Sequence, residues 1–135
     1  MSFGPVNWIG IVAAVVSCFI VGGLWYSPLL FVNAWLSMSG VDRQRFNAGL
    51  PKALVGDFVS ALAIALVLNQ VIRWAGVAGA LNGATVGLIV GVGFMAAVLL
   101  TQVTYERRPF GFFAISAGYR IVTTTLMGAI LAAWP

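Results

Sequence analysis

The stretch GALNGATVGLIVGVGFMAAVLL, residues 79–100, carries glycines at every fourth position and no charged side chain. These glycines are Gly79, Gly83, Gly87 and Gly91. In water each interior glycine costs a helix about 1 kcal/mol relative to alanine. In a bilayer the same spacing forms a smooth stripe that a second helix can approach closely. The stretch therefore predicts a transmembrane helix that packs against its own chain or against another subunit, with a glycine-lined pore as a third reading.

The composition of the whole chain favours the same environment. Of 135 residues, 61% are hydrophobic and 7% are charged, whereas a soluble domain carries about 25% charged residues. The chain contains no histidine, and Cys18 is its only cysteine, so we expect no metal site and no cofactor. The net charge of +4 comes from a few basic residues, most of them in two loops, which is not typical of a nucleic-acid surface.

Four segments are long enough to span a bilayer, which requires about 20 apolar residues. A proline precedes or opens the second and fourth, because Pro51 and Pro109 are suited to a first helical turn. After the first segment, Ser27-Pro28 interrupts the helix, and residues 29–38 either continue it past a kink or lie in the interface. We predict an all-α integral membrane bundle of four transmembrane helices with a short extra helical piece after the first, in one domain of residues 1–135. The predicted spans are 6–26, 52–74, 77–103 and 109–134.

Basic residues predict the orientation of the bundle. Five of them lie in or beside the loops 39–52 and 104–109, and only Arg73 lies on the opposite side. Because cytoplasmic loops are enriched in lysine and arginine, we expect these two loops in the cytoplasm and both termini outside.

Two charged residues lie well inside the predicted spans, away from their ends. Arg120 lies eleven residues beyond Pro109, which places it about 16 Å into the bilayer. Charged side chains at that depth face a packed or watery interior, and Asp57 in the second span is the natural partner. The pair either fixes helix register or forms part of an anion, headgroup or substrate site, and Arg120 could instead extend to the surface. Thr124 is predicted to share the polar face of Arg120.

The chain resembles a bacterial membrane-protein family catalogued as domain of unknown function 1761. The resemblance is carried by residues 7–8, by the block GLWYSPLLF at 23–31 with residues 34–35, and by residues 117–119 and 126–131. It implies the inner membrane of a bacterium as the location. It covers essentially the whole chain and implies four membrane helices, but the family has no established activity, so no catalytic residue is carried over. Within the block, Trp25, Tyr26, Pro28 and Phe31 predict an interfacial anchor with a fixed bend, or a contact with lipid or a partner.

The sequence contains no catalytic constellation: there is no Ser-His pair, no phosphate loop and no CxxC motif. We therefore expect a non-enzymatic membrane protein that contacts membrane lipids and no nucleic acid. The glycine stripe favours assembly as a homo-oligomer or as an accessory subunit of a larger complex. The alternative is a small transporter or channel with a polar path around Arg120 and Asp57, and an intramembrane enzyme is a third, less supported reading.

Overall fold

The computed structural model describes residues 4–133, which form helices and no strand. The helices are α1 (Trp8–Trp25), α2 (Val32–Ser39), α3 (Arg43–Ala75), α4 (Ala80–Val90), α5 (Ala97–Tyr105) and α6 (Phe110–Ala133). A π-helical turn, Gly91–Ala96, joins α4 and α5 into one long helix. Four helices are therefore long and apolar enough to cross a membrane, which confirms the predicted all-α bundle. Trp134, the predicted end of the last span, lies outside the described residues.

The ends of the first and last spans follow from local sequence. The Asn7 side chain accepts a hydrogen bond from the Gly10 amide at 3.1 Å and so caps α1. Helix α6 starts directly after Pro109. Proline suits the start of a helix because amides there have no partner within the helix, and proline has no amide hydrogen to leave unpaired. The segment after Pro28 is a separate helix, α2, because a tight turn ends the first span. In this turn the Phe31 amide donates a hydrogen bond to the Trp25 carbonyl.

The prediction of a loop over residues 39–52 was wrong from Arg43 onward, because α3 starts there and contains Pro51. The Asp42 carboxylate accepts a hydrogen bond from the Arg45 amide at 2.7 Å and caps the helix. Proline deprives only one carbonyl of its helical partner, that of Asn47. Asn47 is exposed, so polar solvent can satisfy this carbonyl.

Helix α6 is the centre of the bundle, since it packs against α1, α3, α4 and α5. Helix α3 contributes buried apolar side chains only from Ala61 onward, and the residues of its first half remain mostly exposed. The second half of α3 therefore belongs to the core, whereas the first half packs loosely and contacts the other helices through single side chains. The loops before α3 and before α6 lie at the same end, because Arg108 Nη1 donates a hydrogen bond to the Ser39 carbonyl at 2.7 Å. We call this end of the bundle the basic end.

The glycine stripe faces α6 of the same chain. A methyl group added at Gly83 would overlap the Gly128 carbonyl, and one at Gly87 would overlap the Thr124 carbonyl. At Gly91 it would lie 3.0 Å from the Ile121 Cα atom. The two backbones thus approach to a distance that only glycine allows. A matching signal was present in the sequence, since Thr124, Gly128 and Ala132 repeat the spacing of four on α6.

Gly79 does not belong to the packed stripe, which corrects its predicted role. No atom lies within 4 Å of where its Cβ would be, and its φ is +89°. Gly79 precedes the first residue of α4, and its amide donates to the Ala132 carbonyl at 3.2 Å. Its glycine identity therefore serves the backbone turn, because side chains strongly disfavour positive φ.

Candidate functional site

A cavity of about 600 Å³ lies between the first half of α3 and helices α1, α5 and α6. It exists because the first half of α3 packs only loosely against the other helices. Aromatic and aliphatic side chains form most of its wall. Its polar lining is concentrated in a few side chains from three helices: Asp57, Gln102, Glu106, Ser116 and Arg120.

The structure brings Arg120 and Asp57 together on the cavity wall. Arg120 Nη2 lies 3.8 Å from Asp57 Oδ1, and the two side chains retain 24% and 48% of their exposure. A charge-assisted hydrogen bond would be about 2.7–2.9 Å long, so this contact is a loose ion pair. Both groups therefore keep hydrogen-bonding capacity that a ligand in the cavity could use. The Arg120 guanidinium also lies over the Tyr119 ring, 5.1 Å from its centroid.

Thr124 is not part of this site, although it was predicted to share the face of Arg120. It is fully buried against Gly91, and its hydroxyl donates to the Arg120 carbonyl at 2.8 Å in its own helix. Residues four apart on a helix are rotated by about 400°, which is about 40° more than a full turn. This offset turns Thr124 away from the cavity and toward α4. Ser116, one turn before Arg120, does line the cavity.

Tyr119 is held rigidly beside the ion pair. Its hydroxyl lies 3.3 Å from Cys18 Sγ and 3.4 Å from the Cys18 carbonyl. A Cβ at Gly22 would lie 3.0 Å from the same hydroxyl, so glycine at this position makes room for the ring. The Tyr26 ring packs edge-on to it at 5.3 Å between centroids. These contacts fix the wall on which Arg120 rests.

The block predicted as an interfacial anchor has a more specific place in the structure. Trp25 Nε1 donates a hydrogen bond to the Ile115 carbonyl at 2.9 Å and ties α1 to α6. Its ring packs against Phe31 at 4.8 Å between centroids. Tyr26 lines the cavity, and Pro28 is exposed in the turn. The block therefore joins α1, α2 and α6 beside the cavity.

An aromatic cluster that the sequence analysis missed lies where the cavity meets the basic end. Trp35 of α2 packs against Phe46 and Phe112, at 5.7 Å and 5.9 Å between centroids. The Arg108 guanidinium covers Phe112 at 4.7 Å, and its Nε lies 3.5 Å from Glu106 Oε1. The only available signal was the density of aromatic residues around the first polar segment, which does not show that they converge.

The other end of the bundle is closed. Gln70 is 1% exposed, and its side-chain oxygen accepts a hydrogen bond from the Gly4 amide at 3.1 Å. Leu68, Thr123 and Met127 are also almost fully buried. These buried side chains form a packed layer between this end and the cavity.

The family model described as "protein of unknown function (DUF1761)" matches residues 9–132. The chain belongs to that family. No curated protein and no solved structure matches the chain. The family description assigns no reaction or solute, so the function of this chain is inferred from the geometry of the site.

Proposed function

We propose that this DUF1761 protein is a small transporter that takes up its solute in the cavity at Arg120 and Asp57. The observation that carries the proposal is an ion pair, still partly exposed, on the wall of a cavity of about 600 Å³. Ligand sites typically enclose about 300–1,000 Å³, and ionisable residues inside a membrane mark substrate pathways by default. Aromatic walls and one cation–anion pair suit an amphipathic solute that carries charge.

A cavity closed at one end supports transport in particular. The cavity reaches Glu106 and Phe46 at the basic end, whereas the layer around Gln70 separates it from the other end. This is the geometry of one access state, and a solute would cross when that layer opened and the basic end closed. The site offers a charged pair without histidine, so we propose binding and translocation rather than a chemical reaction.

Assembly with further copies or with a larger complex has less support than transport. The glycine stripe was the sequence feature that favoured assembly, and α6 of the same chain covers Gly83, Gly87 and Gly91. Transport, in contrast, gains support from a cavity that the sequence alone did not reveal.

Cysteine labelling from each side of the membrane tests the proposal. In a Cys18→Ala background, Ser116→Cys places one thiol in the cavity, and a charged, membrane-impermeant thiol reagent reports water access. We expect fast labelling from the side of the basic end and slower labelling from the other side, as the protein alternates between access states.

The matched control is Val122→Cys, which lies on the same helix with 41% exposure but outside the cavity lining. It should resist the charged reagent because lipid surrounds it. If Ser116→Cys is as unreactive as Val122→Cys, the cavity holds no water path and the proposal fails. Labelling from one side only would contradict transport and leave a binding protein.

A further inference from the structure

A second groove, of about 280 Å³, lies nearer the closed end of the bundle than the cavity does. It lies between the second half of α3 and the helix formed by α4 and α5. Its lining is entirely apolar and includes Ile64, Val67 and Val71 on one side and Val90 and Met95 on the other. A charged cavity and an apolar groove thus both lie between α3 and the same neighbouring helix.

On α3 the two spaces share one helix face. Ala53 and Asp57 line the cavity, and Ile64, Val67 and Val71 line the apolar groove. Their spacing places them in one row, because residues three or four apart stack along a helix. The row position between the two spaces is Ser60, a small residue that is exposed. No large side chain of α3 therefore separates the cavity from the groove.

The opposite wall is aligned in the same way. Leu99, Gln102 and Glu106 line the cavity, and Met95 lies one turn before Leu99 and lines the groove. Val90 lies five residues before Met95. The π-helical turn places these two residues on the same side of the helix, because its hydrogen bonds join residues five apart. The two spaces therefore form one path, which we call the lateral groove.

The lateral groove has the polarity of a phospholipid. From Asp57 to Val71 along α3 the distance is about 21 Å, which is most of the roughly 30 Å thickness of a bilayer's hydrocarbon core. The end at Arg120 and Asp57 carries opposite charges, and the far end carries none. Helices α3 and α4 contact each other little, so the groove lies open to the surrounding lipid along its length.

We infer that the lateral groove binds one phospholipid with a zwitterionic, amine-bearing headgroup, and this inference rests on the proposed function by naming its solute. The phosphate binds Arg120, the ammonium group binds Asp57, and an acyl chain follows the groove past Ser60 to Val71. A zwitterionic headgroup therefore gives each residue of the loose ion pair an oppositely charged partner. An anionic headgroup would instead place a negative charge near the Asp57 carboxylate with no ammonium group to pair with it. A purely cationic headgroup would place a positive charge near the Arg120 guanidinium.

Competitive lipid retention tests the inference. The full-length protein is placed in nanodiscs with equal amounts of phosphatidylethanolamine and phosphatidylglycerol, then extracted in mild detergent and weighed by native mass spectrometry. We expect one retained lipid per chain, with phosphatidylethanolamine favoured at least about tenfold. Asp57→Asn should abolish the preference, because it removes the charge that pairs with the ammonium group by which the two headgroups differ. Arg120→Gln should instead weaken retention of both lipids, since both carry the phosphate. Arg107→Gln removes an exposed charge at the same end and should change neither retention nor preference.

A second pair of variants tests the acyl-chain part of the groove. Val67→Trp fills the apolar groove, and Val59→Trp introduces the same side chain at a similarly exposed position of α3 outside both linings. Only Val67→Trp should reduce lipid retention. Equal retention of the two lipids by the wild type, or equal effects of the two tryptophans, would overturn the inference.

The two proposals can fail separately. If Ser116→Cys is labelled from both sides but neither lipid is preferred, transport stands and the solute is water-soluble. If phosphatidylethanolamine is preferred but Ser116→Cys is never labelled, the lipid site stands and the transport function is overturned.

Discussion

The packing of α4 against α6 makes Gly87→Ala the most informative change to the scaffold. A Cβ at this position would overlap the Thr124 carbonyl oxygen and lie only 2.7 Å from its carbon and 2.9 Å from the Thr125 Cα. Ordinary van der Waals contact begins near 3.4 Å. The obstacle is backbone, which cannot rotate aside as a side chain can, so the two helices must separate.

The separation required is at least about 0.7 Å at the closest carbon, and overpacking of this kind costs about 1–3 kcal/mol. Helix propensity acts in the opposite direction, because alanine is favoured over glycine by up to about 1 kcal/mol in water. Both states are helical within a membrane, so little of that gain is realised. We therefore expect a net loss of about 1–2 kcal/mol in the free energy of unfolding.

The assay is equilibrium unfolding in mixed micelles with increasing SDS, followed by the fluorescence of the tryptophans. The matched control is Gly56→Ala in α3, where no atom lies within 4 Å of the added methyl group. This control should change stability by no more than about 0.5 kcal/mol. If Gly87→Ala and Gly56→Ala unfold at the same SDS fraction, α4 and α6 do not pack as described.

Three further changes have defined outcomes, two of them in the same unfolding assay and one in a proteolysis assay. Trp25→Phe removes the hydrogen bond to the Ile115 carbonyl and should cost about 1 kcal/mol; an unchanged midpoint would mean that this bond contributes nothing to holding α1 against α6. Gln70→Leu removes two hydrogen bonds to the segment before α1, so protease cleavage of that segment should become faster, and an unchanged cleavage rate would contradict the contact. Arg120→Leu and Asp57→Leu should each cost about 1–2 kcal/mol because each leaves an unpaired charge, and the double variant should cost less than their sum; additive losses would show that the two residues are not coupled.

The number and nature of the long helices could be predicted from the sequence because composition decides them. Apolar runs of about 20 residues identify spans without any knowledge of tertiary contacts. Pro109 marked the start of α6 for a reason that lies within the chain itself, its missing amide hydrogen. The same rule failed at Pro51, since the Asp42 cap starts α3 eight residues earlier and the helix tolerates the proline at an exposed position.

The candidate site was predictable only in part. Arg120 and Asp57 could be paired because they are opposite charges well inside the predicted spans, although α3 starts eight residues before the helix start predicted at Pro51. The cavity could not be predicted, since it depends on where α3 leaves the bundle and on a π-helical turn that has no reliable sequence signal. Thr124 was assigned to the wrong face because a spacing of four residues is compatible with either of two neighbouring packing surfaces.

Helix α6 connects the scaffold to the site. One of its faces packs on the glycines of α4, and the adjacent face carries Arg120 into the cavity. A change at Gly87 that moves α6 should therefore also alter the Arg120–Asp57 distance.

The most direct test of the account is the distance between Arg120 and Asp57 in a lipid bilayer. Solid-state NMR on protein with ¹⁵N-labelled arginine and ¹³C-labelled aspartate measures the dipolar coupling between the guanidinium nitrogens and the carboxyl carbon. The structure places Arg120 Nη2 3.8 Å from Asp57 Oδ1 and therefore predicts a measurable coupling in the wild type. With the ¹³C label confined to aspartate, this coupling should disappear in Asp57→Asn. A wild-type spectrum with no such coupling would show that the two charges are apart in the membrane, and the proposed site would not exist.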